Sequence, residues 1–250
     1  MRVGLFGFGR AGRAVATILL QSKEAHLCWV IRKSTVLQHR SVPEFLGVQS
    51  DEPGLIFPKD ELPPQQLFVE HPIDVLIDFS SAEAILSYGE EAAKREIAIV
   101  SAISEYPTET VDFLSKLALQ TRVLWSPNIT IGINFLMLAA KVLTSIAPYT
   151  DIEIIEEHFK AKKEISGTAR RIARALSLQE ESIKTIRAGG IVGRHEILIG
   201  FPYQTIRLTH ESISREAFGN GALFAAQHLV DRAKGLYSME DLLIPYFKLT

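Results

Sequence analysis

The sequence of 250 residues has little of several features that would place a protein in a special class. It contains one cysteine, Cys28, so no disulfide can form within the chain, and a reducing cytoplasm is the expected compartment. No apolar run approaches the roughly 18 to 20 residues that a membrane-spanning helix needs. The first residues, MRVGLFGFGRAG, lack the basic, apolar and cleavable order of a signal peptide. We therefore expect a cytoplasmic protein with no membrane partner.

An excess of charge is also lacking. The 27 basic and 29 acidic side chains give a formal net charge of -2. Such a balance offers no general attraction for nucleic acid, which is not expected as a partner, although a local basic pocket is compatible with it. Apolar residues make up 47% of the chain and charged residues 22%, which is typical of a globular protein with a substantial core. We find no internal repeat, and no metal site is predicted.

The first half of the chain alternates short apolar runs with helical patterns. Five strands are predicted, at residues 2–6, 26–31, 73–79, 97–103 and 122–127. Between residues 34 and 70 the signal is weak and the segment is rich in proline. Because strands and helices alternate with short connections, the pattern predicts an α/β fold with a doubly wound parallel sheet of the Rossmann type.

The pattern changes after about residue 128. A long apolar helix, a strand, a shorter helix and three closely spaced strand-like runs follow, and helices are predicted again at the C-terminus. This order predicts a second α+β domain built on an open mixed sheet. We expect residues 1–128 with 217–250 to form a dinucleotide-binding domain and residues 129–216 to form a domain for substrate binding and oligomerisation. The active site is expected in the cleft, at the carboxyl ends of the parallel strands.

A glycine-rich loop follows the first predicted strand and precedes the first helix. Its residues are Gly7, Phe8, Gly9, Arg10, Ala11 and Gly12, which match the pattern G-x-G-x-x-G. In that context the first glycine makes a tight turn, the second lets the backbone approach a pyrophosphate, and the third lets the helix pack on the strand. The helix N-terminus then binds the phosphates. The alternative is a strand–helix turn that binds no ligand.

The end of the second strand bears on the choice of dinucleotide. An acidic residue there, about 20 residues after the glycines, would bind the ribose 2′-hydroxyl of NAD. This strand instead ends in VIRKS, with Arg32 and Lys33. An arginine can bind a 2′-phosphate through two hydrogen bonds, so the sequence favours NADPH over NADH. The alternative is that both side chains are solvated charges on a loop.

A charged stretch, EEHFKAKKEISGTARR, runs from Glu156 to Arg171. His158 is expected near the end of a strand, where it can exchange a proton near neutral pH. Lys162, in the turn that follows, supplies a proton or a fixed positive charge. Ser166, Gly167 and Thr168 then begin a helix, whose hydroxyl and N–H groups suit a carboxylate. The alternative is a solvated loop with a helix cap.

The same stretch resembles a family signature, E-x-H-H-x-x-K-x-D-x-P-S-G-T-A, of 4-hydroxy-tetrahydrodipicolinate reductase, also called dihydrodipicolinate reductase. The likeness covers nearly the whole chain. Further segments resemble that family in the same order: IDVLIDFSSAEA, SPNITIGINF, YTDIEIIEEH, RAGGIVGRHEILIG and SREAFGNGA.

The resemblance implies hydride transfer from NADPH, with NADH also possible, to a cyclic imine dicarboxylate in lysine and diaminopimelate biosynthesis. It implies that Lys162 donates a proton, that His158 polarises the substrate or relays the proton, and that the Ser166 segment binds a substrate carboxylate. Further cofactor contacts are expected from Phe79, Ser80, Ser101, Ala102, Ile103 and Asn128. It also implies a homotetramer built through the sheet of the second domain.

The chain departs from the family pattern near the active site. Phe159 stands where the family has a second histidine that helps to hold the substrate. Lys160, expected on the same strand face as His158, and Lys163 are the candidate replacements. Ser101-Ala102-Ile103-Ser104 stands in place of G-T-T-G, and Glu164-Ile165 in place of D-A-P. Two alternatives therefore stay open: a reductase of the same fold for a different imine or keto acid, and a cofactor-binding paralogue without catalytic activity.

Overall fold

The computed structural model describes residues 1–35 and 40–248. The chain divides into two compact units, one formed by Met1–Thr130 and Phe218–Thr250 and the other by Ile131–Ala217. Among the described residues, no helix combines the length and the apolar character needed to cross a membrane.

The described part of the chain contains strands β1 to β11 and helices α1 to α9, numbered in chain order. The strands are β1 (Arg2–Phe6), β2 (His26–Arg32), β3 (Leu55–Pro58), β4 (Val75–Asp78), β5 (Ala98–Ser101), β6 (Arg122–Trp125), β7 (Asp151–His158), β8 (Ile183–Arg187), β9 (Arg194–Phe201), β10 (Gln204–Glu211) and β11 (Gly235–Tyr237). The helices are α1 (Arg10–Gln21), α2 (Val42–Leu46), α3 (Pro64–Glu70), α4 (Ala84–Lys94), α5 (Thr108–Leu117), α6 (Ile131–Ile146), α7 (Gly167–Ala175), α8 (Glu216–Leu229) and α9 (Met239–Leu243).

The first unit contains a seven-stranded parallel sheet in the order β11-β6-β5-β4-β1-β2-β3. Its central strands β4 and β5 are apolar up to their last residues, Asp78 and Ser101, because helices cover both faces of such a sheet. The four residues of β4 and the four of β5 are all buried. The order reverses at β1, which places a crevice for ligands at the carboxyl ends of the strands. The predicted Rossmann-type fold class is confirmed.

The weak segment between residues 34 and 70 contains regular structure that its sequence does not reveal. The short helix α2 begins after Ser41, whose hydroxyl accepts a hydrogen bond from the Glu44 N–H at 3.3 Å. Strand β3 has only four residues and pairs with β2 through the register Arg32↔Pro58. Short elements flanked by proline give too few periodic positions to be recognised.

The second unit is built on a four-stranded sheet in the order β10-β9-β7-β8. Strand β7 is parallel to β8 and antiparallel to β9, and β9 is antiparallel to β10. The sheet is therefore open and mixed, as predicted. Its core joins apolar residues of α6 and α7 to the strands, including Leu136, Ile154, Ile172 and Ile197. This packing fixes the end of β7 and the start of α7, which carry the charged stretch.

Candidate active site

In the first unit, several predicted cofactor residues lie at one edge of the parallel sheet. Gly7 follows β1, Arg32 ends β2, and Phe79 follows β4. These three strands are neighbours in the sheet, so their carboxyl ends meet at this edge. They border a cavity of about 710 Å³.

The cavity brings together part of the predicted set. Its lining includes the predicted residues Gly7, Phe8, Gly9, Arg32, Lys33, Phe79 and Ser80. Its lining also includes residues that sequence reasoning missed, among them Arg13, Ser34, Lys59, Ser81 and Glu83. Arg13 lies one turn into α1, and its guanidinium carbon is 5.7 Å from the centre of the Phe8 ring. The G-x-G-x-x-G pattern ends just before Arg13, and Lys59 follows the unrecognised strand β3.

The glycine loop leaves the N-terminus of α1 open to a ligand. Gly9 is the N-cap, and no side chain caps the helix. A Cβ atom added to Gly9 would meet no atom within 4 Å, whereas one added to Gly12 would lie 1.8 Å from the carbonyl oxygen of Gly7. Gly12 is therefore needed for the packing of the loop, and Gly9 leaves space. An uncapped helix start beside such a space fits a phosphate group.

Arg32 has the chemistry expected of a phosphate ligand. Its Nε and Nη1 atoms are buried, and they have no hydrogen-bond partner among the described residues. Lys33 is exposed next to it, and the Lys59 N–H donates to the Arg32 carbonyl at 2.8 Å, so that three basic residues meet at the cavity. Buried guanidinium nitrogens normally have an acceptor, and a 2′-phosphate would supply one.

The turn after β4 is held by a buried carboxylate. Asp78 accepts hydrogen bonds from the Ser80 N–H at 2.8 Å, from the Ser80 hydroxyl at 2.5 Å and from the Tyr88 hydroxyl at 2.6 Å. Burial raises the pKa of Asp78, and these donors oppose that rise. The network fixes Ser80 at the cavity wall.

The other predicted cofactor residues do not line this cavity. Arg10, Ala11 and Gly12 form the first turn of α1. Ser101, Ala102 and Ile103 lie at the end of β5, where the Ser101 hydroxyl is 2.8 Å from the Tyr106 hydroxyl. The side-chain oxygen of Asn128 accepts from the N–H and the hydroxyl of Thr130. The segment after β5 also bonds to its neighbours in the sheet: the Ala102 N–H donates to the Asp78 carbonyl at 2.9 Å, and the Trp125 side chain donates to the Ile103 carbonyl at 2.8 Å.

In the second unit, β7 places His158 at its last residue, and the chain then turns. Lys162 donates its N–H to the Phe159 carbonyl at 3.0 Å, which closes the turn. Arg187, at the end of β8, donates to the Lys162 carbonyl and to the Glu164 carbonyl, both at 2.9 Å. One guanidinium thus holds the loop that carries Lys162.

The chain does not continue as a strand through Lys160, which lies in this turn. Its N–H donates to the Gly189 carbonyl at 3.1 Å. The expectation that Lys160 shares the strand face of His158 is therefore wrong, because strand periodicity ends at His158. Phe159 is 44% exposed and lies directly after the strand.

The Ser166 segment begins α7 as predicted. The Ser166 hydroxyl caps the helix by accepting from the Ala169 N–H at 3.0 Å, and Gly167 and Thr168 form the first turn. Ser166 is 5% exposed, and a Cβ atom added to Gly167 would meet no atom within 4 Å. The helix start therefore has one buried hydroxyl and open space beside it.

Glu156 connects the parts of this site. One carboxylate oxygen accepts from Arg187 at 2.5 Å, and the other accepts from the Ser166 N–H at 3.0 Å and lies 3.3 Å from Nδ1 of His158. Burial alone would raise the pKa of Glu156, but the hydrogen bonds from Ser166 and Arg187 outweigh burial and lower it. Glu156 is therefore a buried carboxylate that stays ionised.

Two histidines lie against each other beside this carboxylate. Burial lowers the pKa of His158; the charge of Glu156 opposes this shift, and the charges of Lys162 and Arg187 add to it. Burial, followed by the nearby His158, lowers the pKa of His195 to about 4. Possible ligand atoms of Glu156, His158 and His195 lie within 4.8 Å of one another. Among the described residues, Glu156 bonds to Ser166 and Arg187, and His195 bonds to Ser166, whereas Nδ1 of His158 contacts Glu156 without a hydrogen bond.

Arg187 and His195 are site residues that sequence reasoning missed. Both lie in the segment RAGGIVGRHEILIG, which carries part of the family resemblance. The sheet brings them to the site through the registers His158↔Arg187 and Glu156↔His195. The family resemblance of this segment was therefore the only sign in the sequence that the two residues belong to the site. Residues so far from His158 along the chain give no other indication that they contact it.

Comparison with known proteins gives the same relationship over both units. The family model described as "Dihydrodipicolinate reductase, N-terminus" matches residues 1–129, and the one described as "Dihydrodipicolinate reductase, C-terminus" matches residues 129–243. The 4-hydroxy-tetrahydrodipicolinate reductase of Caldanaerobacter subterraneus subsp. tengcongensis is 38% identical over 70% of this chain and 78% of its own length. That of Nitratidesulfovibrio vulgaris is 31% identical over 97% of this chain and 100% of its own length.

A solved structure shows the same fold. The dipicolinate-bound dihydrodipicolinate reductase from Paenisporosarcina sp. TG-14 superposes with a TM-score of 0.80 and 21% identity, covering 96% of this chain and 98% of that one. An amine dehydrogenase from Mycobacterium smegmatis superposes with a TM-score of 0.66 and 11% identity, covering 96% and 95%. The two family models together span nearly the whole sequence, and the chain therefore belongs to the dihydrodipicolinate reductase family.

Proposed function

We propose that this protein reduces 4-hydroxy-tetrahydrodipicolinate, a cyclic imine dicarboxylate, to tetrahydrodipicolinate in lysine and diaminopimelate biosynthesis. The observation that carries the proposal is the convergence of His158, Lys162 and the open start of α7 around one network centred on Glu156. An acid, a fixed cation and an anion site are the groups that such a reduction needs.

We propose NADPH as the preferred cofactor, with NADH also accepted. The buried guanidinium nitrogens of Arg32, the neighbouring Lys33 and the uncapped start of α1 support this choice. When bound, the nicotinamide cofactor supplies the hydride. The chain contributes the space at Gly9 for the pyrophosphate and the cations for a 2′-phosphate.

In the proposed reaction, Lys162 meets the negative charge that develops on the substrate as hydride reaches carbon. Lys162 donates a proton, and His158 polarises the substrate or relays the proton. Arg187 holds the Lys162 carbonyl and so fixes the backbone of the loop, and the charge of Lys162 is close enough to lower the pKa of His158. The lowered pKa of His158 means that the imidazole is largely neutral at neutral pH.

The Ser166, Gly167 and Thr168 segment is proposed to bind one substrate carboxylate. Its support is the open helix start together with the buried Ser166 hydroxyl. The family member from Paenisporosarcina binds dipicolinate, a flat aromatic dicarboxylate, which makes that compound a suitable probe for this chain.

The protein is further proposed to act as a homotetramer in the cytoplasm. Support for the assembly comes from exposed apolar side chains on the second unit, including Ile186, Val192 and Ile213. Light scattering coupled to gel filtration tests the oligomeric state.

The test of the proposed function is oxidation of NADPH in the presence of the lysine-pathway substrate. Lys162→Ala is expected to lower kcat by about 10²–10⁴-fold, the usual contribution of a general acid, with little change in KM for the cofactor. The matched control is Lys184→Ala, because Lys184 is an exposed lysine of the same unit that pairs with Glu153 on the surface. Equal turnover by the two variants, or no turnover by the unmodified protein, would contradict the proposal.

A further inference from the structure

His195 contacts the proposed carboxylate site through Ser166. Its Nε2 atom lies 3.0 Å from the Ser166 hydroxyl oxygen, and both residues are buried. Its ring also packs edge-on against the ring of His158, with centroids 5.3 Å apart. His195 therefore touches both the anion site and the proposed catalytic histidine, although it lies on a different strand, β9.

The Ser166 hydroxyl has a limited set of hydrogen bonds. A serine hydroxyl donates one proton and accepts two hydrogen bonds. Its oxygen already accepts from the Ala169 N–H. If Nε2 of His195 is unprotonated, the Ser166 hydroxyl donates its proton to that nitrogen and cannot donate it to a ligand. If Nε2 carries a proton, it fills the second acceptor position of Ser166, and the Ser166 proton stays available.

The surroundings of the other ring nitrogen decide between these two forms. Nδ1 of His195 is buried and has no hydrogen-bond partner among the residues that the structure describes. A proton on Nδ1 would be an unpaired buried donor, which is rarer in proteins than an unpaired acceptor. Because the ring is buried beside His158, it stays neutral, so one nitrogen carries a proton and the other does not.

We propose that His195 is a positioning residue, held as the Nε2–H tautomer, that donates to Ser166 and directs the Ser166 hydroxyl proton towards a carboxylate. The inference rests on the proposed function in one respect, the carboxylate that Ser166 binds. Glu156 adds a second fixed point, because it accepts the Ser166 N–H at 3.0 Å. Ser166 is thus held by its backbone and by its hydroxyl before any ligand arrives, which reduces the ordering that binding requires.

The first test reads the tautomer directly and requires no activity. Two-bond proton–nitrogen correlation spectra of protein labelled with ¹⁵N-histidine distinguish Nε2–H from Nδ1–H rings. His195→Gln identifies the signals, since the chain has seven histidines. The expected pattern is Nε2–H for His195. An Nδ1–H pattern would overturn the proposal.

The second test measures binding of dipicolinate by calorimetry. A glutamine side chain can place an N–H near the position of Nε2, whereas the shorter asparagine cannot. His195→Gln is expected to bind within about two-fold of the unmodified protein, and His195→Asn about ten-fold more weakly, the effect of losing one hydrogen bond. Ser166→Ala is expected to weaken binding similarly, and adding His195→Asn to it should cause no further loss.

Equal binding by His195→Asn and the unmodified protein would overturn the proposal, as would full additivity of the two substitutions. Absence of dipicolinate binding by the unmodified protein has a different meaning, because it would contradict the proposed function. In that case the tautomer spectrum still decides whether His195 donates to Ser166.

Discussion

Nδ1 of His158 lies 3.3 Å from a carboxylate oxygen of Glu156, which is itself fully buried and ion-paired to Arg187. The buried charge of Glu156 therefore acts on the proposed catalytic histidine, on the loop held by Arg187 and on the start of α7. A carboxylate with three such partners makes the geometry of the site depend on one side chain.

Substitution of Glu156 by Gln keeps the shape of the side chain and removes its charge. Arg187, which is partly buried, would then lack its buried counter-charge, so the free energy of unfolding should fall by about 3 kcal/mol. Because the Glu156 charge raises the pKa of His158, that pKa should fall further in the variant. Urea unfolding and an NMR titration of His158 measure the two effects.

The matched control for this change is Glu157→Gln, on the opposite face of β7. Glu157 also pairs with an arginine, Arg194, at 2.5 Å, but the pair is more exposed. Its loss should cost about 1 kcal/mol or less and leave the pKa of His158 unchanged. Similar effects from both substitutions would show that Glu156 has no special role.

Acid should destabilise the protein through His195. The pKa of its folded form is about 4, against 6.5 for the ordinary side chain. The unfolded chain therefore binds a proton that the folded chain does not, and stability is lost as pH falls from 6.5 towards 4. Between pH 7 and pH 5 this loss is about 2 kcal/mol.

The measurement is urea unfolding at both pH values for the unmodified protein and for His195→Gln, which cannot titrate. Between pH 7 and pH 5 the free energy of unfolding of the variant should fall by about 2 kcal/mol less than that of the unmodified protein. This difference separates the contribution of His195 from those of other titrating groups. Parallel pH dependence of the two proteins would mean that His195 is not held neutral by the fold.

The two glycines of the cofactor loop should respond in opposite ways to alanine. Gly9→Ala adds a Cβ atom into open space, so folding should be unaffected, but the added methyl group would stand where a pyrophosphate approaches the backbone. A steric cost of roughly 1–3 kcal/mol corresponds to NADPH binding that is weaker by about 5- to 150-fold. Calorimetry of NADPH binding and thermal unfolding measure the two quantities.

Gly12→Ala is the comparison, because its Cβ atom would lie 1.8 Å from the backbone oxygen of Gly7. Backbone cannot rotate away as a side chain can, so this variant should be destabilised as well as weak in binding. A stable Gly12→Ala protein, or a Gly9→Ala protein that binds NADPH normally, would contradict the role assigned to that glycine.

The fold was predictable where buried strands give a clear apolar pattern in the sequence. Strands β1, β4 and β5 lie inside the sheet and are apolar apart from one residue at an end, which is Arg2, Asp78 and Ser101 respectively. Strand β11 has three residues and pairs with β6 at the edge of the sheet, through contacts between distant parts of the chain. A segment so short has no period of its own, which is why the sequence offers no signal for it.

The site was predictable to the extent that it lies in one continuous segment. His158, Lys162 and Ser166 follow each other along the chain, so their chemistry could be judged together. Arg187 and His195 reach the same place only through the registers of β8 and β9 on β7. Register depends on how whole strands pair, and a shift by one residue would turn both side chains to the other face.

Replacement of Arg32 by Asp should reverse the preference between the two cofactors. The substitution removes a charge-assisted phosphate contact worth roughly 1.5–3 kcal/mol, which is about ten-fold or more in KM for NADPH. The new carboxylate could accept from the ribose hydroxyl of NADH. Steady-state kinetics with both cofactors provide the measurement, and Lys23→Asp, an exposed cation of the same unit outside the cavity lining, is the control. Equal use of both cofactors by the unmodified protein would count against Arg32 as a phosphate ligand.

Phe159 should make this chain a weaker binder of the lysine-pathway substrate than a relative with histidine at that position. Phenylalanine neither donates a hydrogen bond nor carries charge, so a carboxylate facing it loses a contact worth roughly 1.5–3 kcal/mol. Lys160 does not replace that contact from the strand, because its backbone lies in the turn bonded to Gly189. We therefore expect turnover with a raised KM, and Phe159→His should lower KM about ten-fold.

Phe159→Leu is the control, since it changes the side chain without adding a donor, and it should leave KM high. If the unmodified protein shows no turnover and Phe159→His restores none, the lysine-pathway assignment fails, and a reductase for a different imine or keto acid becomes the better hypothesis.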